Sequence, residues 1–317
     1  MAASNLVKKL ILLCAIELGI GAIICYSIPA DREGYIAAVQ DKKSLLSNSR
    51  SPRIIFVGGS NLAFGLDSEL VQNELHLPVI NLGLHASLGL KTSLNIVEKY
   101  AAQDDIIVII PEYEYFDQSS SMYGSDTILA DFIEIDPANL QYVAPGKWID
   151  LPLITFDVLE RKLDRESALL LADPVDRDVY LRSNFNRYGD MIGHLGKKPL
   201  RPNEISAEAA LPTNLNLITT SFDILEEFHQ KMINKGVIVL FDFPSLRMRN
   251  CKKTSLELFD HLVSALKART TIPILSTPDE RCYPDKYFYN TQYHLNAVGR
   301  EARTWQVIES LSLMLKK

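Results

Sequence analysis

The chain has 317 residues, of which 47% are hydrophobic and 23% charged, and its formal net charge is -6. This length suffices for one large α/β domain, or for one domain with a sizeable insertion. The acidic balance, and the lack of a basic stripe interleaved with aromatic residues, argue against a nucleic-acid partner.

The N-terminal region is dominated by an apolar segment from Leu10 to Ile28. As a helix this segment would approach the roughly 30 Å thickness of a bilayer core. Lys8 and Lys9 precede it, so the positive-inside rule places the N-terminus in the cytoplasm and the remainder outside the plasma (inner) membrane, in the periplasm. We therefore predict that residues 1–30 form a single-pass membrane anchor. A cleaved signal peptide is the alternative, because residues 27–30 include small residues near a possible cleavage point.

After this segment, residues 31–52 read as a polar, partly helical stalk, and residues 53–317 alternate between two patterns. Near-continuous Ile/Val/Leu runs are typical of strands covered on both faces. They occur at 53–58, 78–82, 106–111, 236–243 and 272–275. Helical patterns occur at 66–76, 88–102, 216–235, 255–269 and 297–315. This order predicts an α/β fold with a doubly wound, flavodoxin-like parallel sheet of five strands.

The alternation is interrupted at about 117–215, a region rich in Asp, Asn, Pro and Tyr that is too long for a loop between a strand and a helix. We interpret it as an irregular, partly helical insertion. It follows the third predicted strand, at the sheet edge where open α/β sheets bind ligands. The insertion is therefore expected to form a lid or one wall of a cleft.

Ser60 follows the first predicted strand, after Gly58 and Gly59. Two glycines permit a tight turn that places a side chain above the sheet edge, where backbone N–H groups would favour a developing oxyanion. The pattern thus makes Ser60 a candidate nucleophile. The alternative is an ordinary turn or N-cap serine at the start of a helix.

His294 lies between the last predicted strand and the last predicted helix, at the same sheet edge as Ser60. A histidine there could take the serine proton and return it to a leaving group. A surface-loop histidine is the alternative. Asn296 is expected to cap the last helix, and Gly83, after the second strand, lets the backbone approach a ligand and offer its N–H.

These three elements resemble blocks I, II and V of the SGNH (GDSL-like) hydrolase superfamily. The matching stretches are "GGSN" at 58–61, "NLG" at 81–83 and "YHLNAVGR" at 293–300, with "FNRYGD" at 185–190 as a further recurrent element. The resemblance is closer to the membrane-anchored branch, which includes relatives of the D-alanyl-lipoteichoic-acid transfer protein and of alginate and peptidoglycan O-acetylation proteins. It covers about residues 53 to 317.

The resemblance implies that Ser60 is the nucleophile and His294 the base. The N–H groups of Ser60 and Gly83 would form the oxyanion hole, and Asn61 would position the turn. Two departures from the family pattern stand out. Glu112 occupies the region where block III usually supplies an Asn donor, and the positions three and four residues before the histidine, where the family usually has an Asp, hold Thr291 and Asn290.

Two residues are therefore candidates to orient the imidazole of His294. Asn290 could hold one tautomer by accepting the ring N–H, although an amide brings no charge to stabilise imidazolium. Asp285, the nearest upstream Asp, would serve if its loop folds back. If neither does, the site is a Ser–His dyad or inactive.

Four cysteines divide evenly between the apolar segment and the remainder of the chain. Cys251 and Cys282 would lie in an oxidising compartment, where a disulfide is favoured, although two free thiols are the alternative. In the family frame each follows a neighbouring strand, so a bond would fasten the loop that bears His294. No Cys or His spacing typical of a metal site is present, and acyl transfer through serine needs no metal or organic cofactor.

The expected function is a membrane-anchored SGNH-like serine esterase or O-acyltransferase, acting through an acyl-serine intermediate on a cell-envelope glycan or its acyl donor. The alternative is a catalytically reduced SGNH-like module that binds glycan or scaffolds an export or acylation complex. The resemblance also implies pairing with a polytopic membrane acyltransferase. Glu17, a carboxylate within the apolar segment, is consistent with a partner helix.

Overall fold

The computed structural model describes residues 30–116, 119–150, 178–201, 203–205, 219–253 and 256–316, and isolated positions before residue 20. The predicted anchor at 10–28 thus lies largely outside the described residues. In the parts that are described, no helix is both long enough and apolar enough to cross a bilayer.

The centre of the molecule is a parallel sheet of four strands in the order β2-β1-β3-β4. Its strands are β1 (Ile54–Gly58), β2 (Val79–Asn81), β3 (Ile106–Ile110) and β4 (Ile238–Phe241). In the register, Ile54 pairs with Val79 on one side and with Ile106 on the other. Every residue of β1 and β3 is buried, as their continuous apolar runs predicted. The α/β class and the parallel sheet are confirmed.

The helices of the described residues pack on both faces of this sheet. They are α1 (Val39–Asn48), α2 (Ser60–Gly65), α3 (Ser68–Leu75), α4 (Leu90–Tyr100), α5 (Ser119–Tyr123), α6 (Asp126–Ile135), α7 (Thr219–Asn234), α8 (Met248–Lys253), α9 (Leu256–Arg269) and α10 (Ala297–Leu315). Ile55 and Val57 of β1 join the cluster that includes α4 and α7, whereas Ile54 and Phe56 join the cluster with α10. Alternate strand residues thus feed two cores, an arrangement compatible with a doubly wound fold.

The predicted fifth strand at 272–275 does not form a strand in the sheet. Ile274 makes one isolated parallel bridge to Phe241, in which the N–H of Phe241 donates to Pro273 O at 2.9 Å. Pro273 has no N–H to donate, so a regular ladder cannot continue through it. A separate parallel pair forms instead between β5 (Leu246–Arg247) and β6 (Cys282–Tyr283).

The segment expected to be a stalk at 31–52 packs on the domain. Its 3₁₀ turn at Tyr35–Ala38 and its helix α1 contribute buried residues to the main core, among them Ile36 and Leu46. Lys42 of α1 is buried as well and donates to Asn81 O at 2.8 Å and to Gly189 O at 2.6 Å. This segment is therefore tied both to the end of β2 and to the later "FNRYGD" stretch.

Only parts of the predicted insertion at 117–215 are described. They include α5 and α6, 3₁₀ turns at Pro137–Tyr142 and Pro145–Asp150, and an irregular stretch at 178–201. A disulfide joins Cys251 of α8 to Cys282 of β6, with a Cα–Cα distance of 6.3 Å. This bond links two elements that flank the loop leading to His294.

Candidate active site

The turn between β1 and α2 has no room for side chains at its two glycines. A Cβ on Gly58 would lie 2.2 Å from Ile110 O, and one on Gly59 would lie 2.3 Å from both carboxylate oxygens of Glu112. Gly59 is the N-cap of α2, and no side chain caps this helix. Ser60 is the first helical residue, half-buried, and its hydroxyl has no hydrogen-bond partner among the described residues. Ser60 therefore has no capping role in this turn.

Glu112 holds the backbone on both sides of Ser60. Its carboxylate accepts the N–H of Gly59 and the N–H of Asn61, each at 3.0 Å. Burial raises the pKa of this carboxyl above its ordinary value, while those hydrogen bonds act in the opposite direction. The Glu112 carboxylate is thus directed at the turn itself, and it accepts hydrogen bonds from two of the N–H groups beside the serine.

Asn61 fastens the start of α2 to two other elements. Its side-chain N–H donates to Ile110 O at 3.1 Å, at the end of β3. Arg303 of α10 donates to Asn61 O at 2.7 Å and to Asn61 Oδ1 at 2.8 Å. The turn that presents Ser60 is therefore fixed by contacts to a strand, a helix and Glu112.

Gly83 lies against α2, where a Cβ would come within 2.5 Å of both Leu62 Cβ and Ala63 N. Its N–H donates to Asn81 Oδ1 at 2.8 Å. The expected oxyanion donor is thus close to the helix that begins at Ser60, but its N–H is engaged within the protein. To serve an oxyanion it would have to share that hydrogen or exchange its acceptor.

His294 is buried and bound to Asn290. The imidazole Nδ1 lies 2.9 Å from Asn290 Oδ1, so Nδ1–H donates to the amide and Nε2 carries the lone pair. Burial lowers the pKa of His294 to about 3, and the neighbouring His194 and His85 act in the same direction. The ring is therefore neutral near pH 7, and its Nε2 is available as a proton acceptor.

The imidazole stacks on Phe64, which connects it to Ser60. The two rings are 3.9 Å apart between centroids and inclined by 5°. Phe64 follows Ser60 by four positions on α2, and such residues share one helix face with Cβ atoms about 5–6 Å apart. The stacking thus joins His294 to the helix that begins at Ser60, through a residue one helical turn from the serine.

The two candidates for orienting His294 are distinguished by their contacts. Asp285 accepts from Arg249 Nε at 2.6 Å, from Arg249 N at 3.1 Å and from Arg247 at 3.4 Å. Among the contacts of the described residues, its carboxylate has none with His294. Asn290 occupies the position behind the imidazole, and Asp285 belongs to an ion-pair cluster beside β5.

Two residues near His294 carry no sequence signal that singled them out. Tyr180, from the insertion, accepts a hydrogen bond from Asn290 Nδ2 at 2.9 Å. His194 packs against Phe64 with a 4.8 Å centroid distance, and its Nε2 lies 3.0 Å from Leu295 O. Burial lowers the pKa of His194 to about 4. A single tyrosine or histidine in an irregular region gives no spacing from which such contacts could be predicted.

The "FNRYGD" stretch ends in Asp190, the centre of a buried polar cluster. Its carboxylate accepts from Ser68 N at 2.9 Å, from Asn81 Nδ2 at 2.8 Å and from Arg300 at 3.0 Å. Ser68 begins α3, Asn81 ends β2 and Arg300 belongs to α10. This cluster therefore connects α3, the end of β2 and α10. The "FNRYGD" stretch resembles a recurrent family element, but its sequence does not predict this role.

The described residues contain no group of three or more His, Cys, Asp or Glu side chains arranged to hold a metal ion. Comparison with known proteins gives no identification: no family model matches the sequence, and no curated protein is significantly similar to it.

Proposed function

We propose that the protein is a serine esterase or O-acyltransferase of SGNH-like type, which acts through an acyl-serine intermediate on a cell-envelope glycan or on its acyl donor. The observation that carries the proposal is the placement of His294. Its ring is stacked on Phe64, one helical turn from Ser60, and its Nδ1 is bound to Asn290. This arrangement leaves Nε2 as the proton acceptor, and the proposal requires Nε2 to face Ser60.

In the proposed reaction, Ser60 Oγ attacks the acyl carbonyl while its proton passes to Nε2 of His294. The tetrahedral oxyanion is stabilised by the N–H of Ser60, with Gly83 as a second donor if its N–H leaves Asn81. Collapse breaks the bond to the leaving alkoxide, which takes the proton back from His294. Water or a sugar hydroxyl then attacks the acyl-serine, and the same proton transfers run in reverse order.

The geometry is consistent with a slow enzyme. Imidazolium forms transiently during each step, and Asn290 supplies no negative charge to stabilise it. The buried environment that lowers the pKa of His294 to about 3 opposes the charge further. We therefore expect a turnover well below that of a Ser–His–Asp site.

The setting is part of the same proposal. The apolar segment at 10–28 would anchor the protein in the plasma (inner) membrane, with the catalytic domain in the periplasm. The substrates would then be envelope polysaccharides, and a polytopic membrane acyltransferase would supply the acyl group. The disulfide between Cys251 and Cys282 supports an oxidising compartment.

The test is covalent labelling of the full-length protein in detergent with a fluorophosphonate. We expect one adduct, located by peptide mass spectrometry at Ser60, and its loss in Ser60→Ala. Ser47→Ala is the matched control, because Ser47 is an exposed serine on α1 and its hydroxyl bonds to Ser44 O. If the folded protein forms no adduct at Ser60, the enzyme proposal is wrong.

The second candidate is a catalytically reduced glycan-binding or scaffold module. It is favoured by two observations: the N–H of Gly83 is engaged with Asn81, and Glu112 takes two N–H groups beside Ser60. Absence of labelling, combined with retention of envelope glycan by both the native protein and Ser60→Ala, would support this module.

A further inference from the structure

Tyr180 reaches the candidate site from the predicted insertion. Its ring packs 5.6 Å from Phe64 and 6.4 Å from His294, measured between centroids. Its phenol oxygen lies 2.9 Å from Asn290 Nδ2 and 3.4 Å from His294 Nδ1. Tyr180, Asn290 and His294 therefore form one connected group of hydrogen-bonding side chains.

An amide behind a catalytic imidazole differs from a carboxylate because one end, Oδ1, accepts hydrogen bonds and the other, Nδ2, donates them. With Oδ1 toward the ring, Asn290 accepts Nδ1–H, and Nε2 is left as the base. With Nδ2 toward the ring, the amide donates to Nδ1, the ring proton moves to Nε2, and the base is lost. A carboxylate only accepts, so it permits the first arrangement alone. Asn290 needs a further contact to favour the productive face.

In the observed arrangement, Tyr180 provides that contact. The phenol oxygen accepts the Nδ2–H of Asn290, while Oδ1 faces His294. If the amide turned over, the phenol would have to become the donor to Oδ1. Without any phenol, the Nδ2–H would lose its acceptor in the productive arrangement. In the turned orientation, the Nδ2–H of Asn290 could instead donate to Nδ1 of the imidazole.

We propose that Tyr180 is a positioning residue that selects the Nδ1–H tautomer of His294 by holding the Asn290 amide in one orientation. The inference deepens the proposed function and rests on it for its catalytic meaning, but the tautomer itself exists whether or not Ser60 reacts. It also gives the insertion a specific role, since a residue outside the sheet completes the support of the base.

The proposal predicts that a carboxylate at position 290 removes the need for Tyr180. In Asn290→Asp the carboxylate accepts Nδ1–H without an alternative face, so the tautomer no longer depends on the phenol. The effect of Tyr180→Phe is therefore expected in the native background and absent in the Asn290→Asp background. A merely structural role of the tyrosine would produce the same effect in both.

The experiment is nitrogen-15 NMR of the histidine rings of the full chain in detergent, with His294 assigned by its loss in His294→Gln. Tyr180→Phe should shift the ratio of Nδ1–H to Nε2–H tautomer by roughly two- to tenfold, the equivalent of one neutral hydrogen bond. Tyr35→Phe is the matched control. Tyr35 packs 5.6 Å from Tyr180, and its buried hydroxyl has no hydrogen-bond partner in the described structure.

The outcomes separate this inference from the proposed function. A tautomer shift in Tyr180→Phe that is absent in Tyr180→Phe/Asn290→Asp supports the inference, even if Ser60 never labels. An unchanged tautomer in folded Tyr180→Phe, or an equal shift in both backgrounds, overturns it. A Tyr180→Phe protein that fails to fold is compared with Tyr180→Phe/Asn290→Asp. If the double variant folds equally poorly, the tyrosine acts through packing, and the inference is overturned.

Discussion

At the scale of single residues, His294 is buried in surroundings that disfavour the positive charge it would carry after accepting a proton. The ring is 6% exposed and stacked on Phe64, and no carboxylate contacts it among the residues that the structure describes, so the protonated form is poorly stabilised. A base in this position is always available to accept a proton near pH 7, but it holds that proton weakly. The energy that disfavours imidazolium in the folded state must also lower the stability of the fold at low pH.

The stability of the fold should therefore fall on acidification. His294 and His194 are neutral in the folded state down to about pH 3 and 4, whereas unfolded histidines take up protons below about pH 6.5. Above pH 6.5 both states are neutral, so neither residue adds a pH dependence there. Between pH 6.5 and 4 the unfolded state binds more protons, and each residue lowers the free energy of unfolding by up to about 1.4 kcal/mol per pH unit.

Urea unfolding at pH 7, 6, 5 and 4.5 would measure this effect. His294→Gln should lose up to about 1.4 kcal/mol per pH unit of the slope between pH 6 and 4.5. His261→Gln, which replaces an exposed histidine on α9, is the control for the substitution itself. Equal slopes in the native protein and His294→Gln would contradict the buried neutral imidazole.

At the scale of elements, the β1–α2 turn and the end of β3 form one unit. Glu112 lies two residues after the end of β3 and accepts hydrogen bonds from the N–H groups on either side of Ser60. The glycine at 59 leaves the space that this carboxylate fills. The position of the candidate nucleophile therefore depends on a contact between two neighbouring strands' carboxyl ends, not on the local turn alone.

Gly59→Ala should disrupt this unit. The new Cβ would lie 2.3 Å from both oxygens of Glu112, so the carboxylate must move and leave buried N–H groups unpaired. We expect a loss of roughly 2 kcal/mol or more in the free energy of unfolding, and weaker fluorophosphonate labelling at Ser60. Gly146→Ala is the matched control, because its Cβ would meet nothing within 4 Å.

A double variant makes this test specific. Glu112→Ala removes the same contact from the other side. The double variant should therefore lose less free energy of unfolding than the sum of the losses in Gly59→Ala and Glu112→Ala. Full additivity in urea unfolding would mean that the alanine acts through some other neighbour.

The strands and the last helix differ in how well the sequence predicted them. The apolar runs of β1 and β3 identified buried parallel strands because both faces of each strand are covered. The run at 272–275 had a similar composition, but Pro273 reduces its pairing to one bridge at Ile274. Asn296 is the N-cap of helix α10, as predicted, and its Oδ1 accepts the N–H of Gly299 at 3.1 Å.

At the scale of the whole molecule, the candidate site combines residues that are far apart in the sequence. Ser60 and Gly83 could be nominated because each follows a strand of the parallel sheet, and the carboxyl ends of such strands meet at one edge. The same argument nominates His294, although the strand predicted before it at 272–275 forms only one bridge to the sheet.

Tyr180 and Arg303 could not be nominated, because their contacts depend on the packing of an irregular segment and of one helix face. The packing of residues 31–52 could not be predicted for a similar reason, because their polar pattern includes only a few residues that are buried on folding, such as Ile36 and Leu46.

The disulfide and the apolar N-terminal segment together make a prediction about the whole chain. The bond between Cys251 and Cys282 is expected to form outside the cytoplasm, and the segment at 10–28 is the feature of the sequence that could direct export. An uncleaved anchor and a cleaved signal peptide would both deliver the domain to the same compartment. They differ in the mass of the mature protein and in its attachment to the membrane.

We expect the exported protein to stay in the membrane fraction after high-salt and alkaline carbonate washes, because a spanning helix is released only by detergent. Its mass should be that of the uncleaved chain. A chain that begins at Ala30 lacks this segment and is the control, so it should be found in the soluble fraction before any wash. A soluble product cleaved near residues 27–30 would instead show that the segment is a signal peptide. Release of the full-length chain by carbonate would contradict the anchor, because a spanning helix resists that treatment.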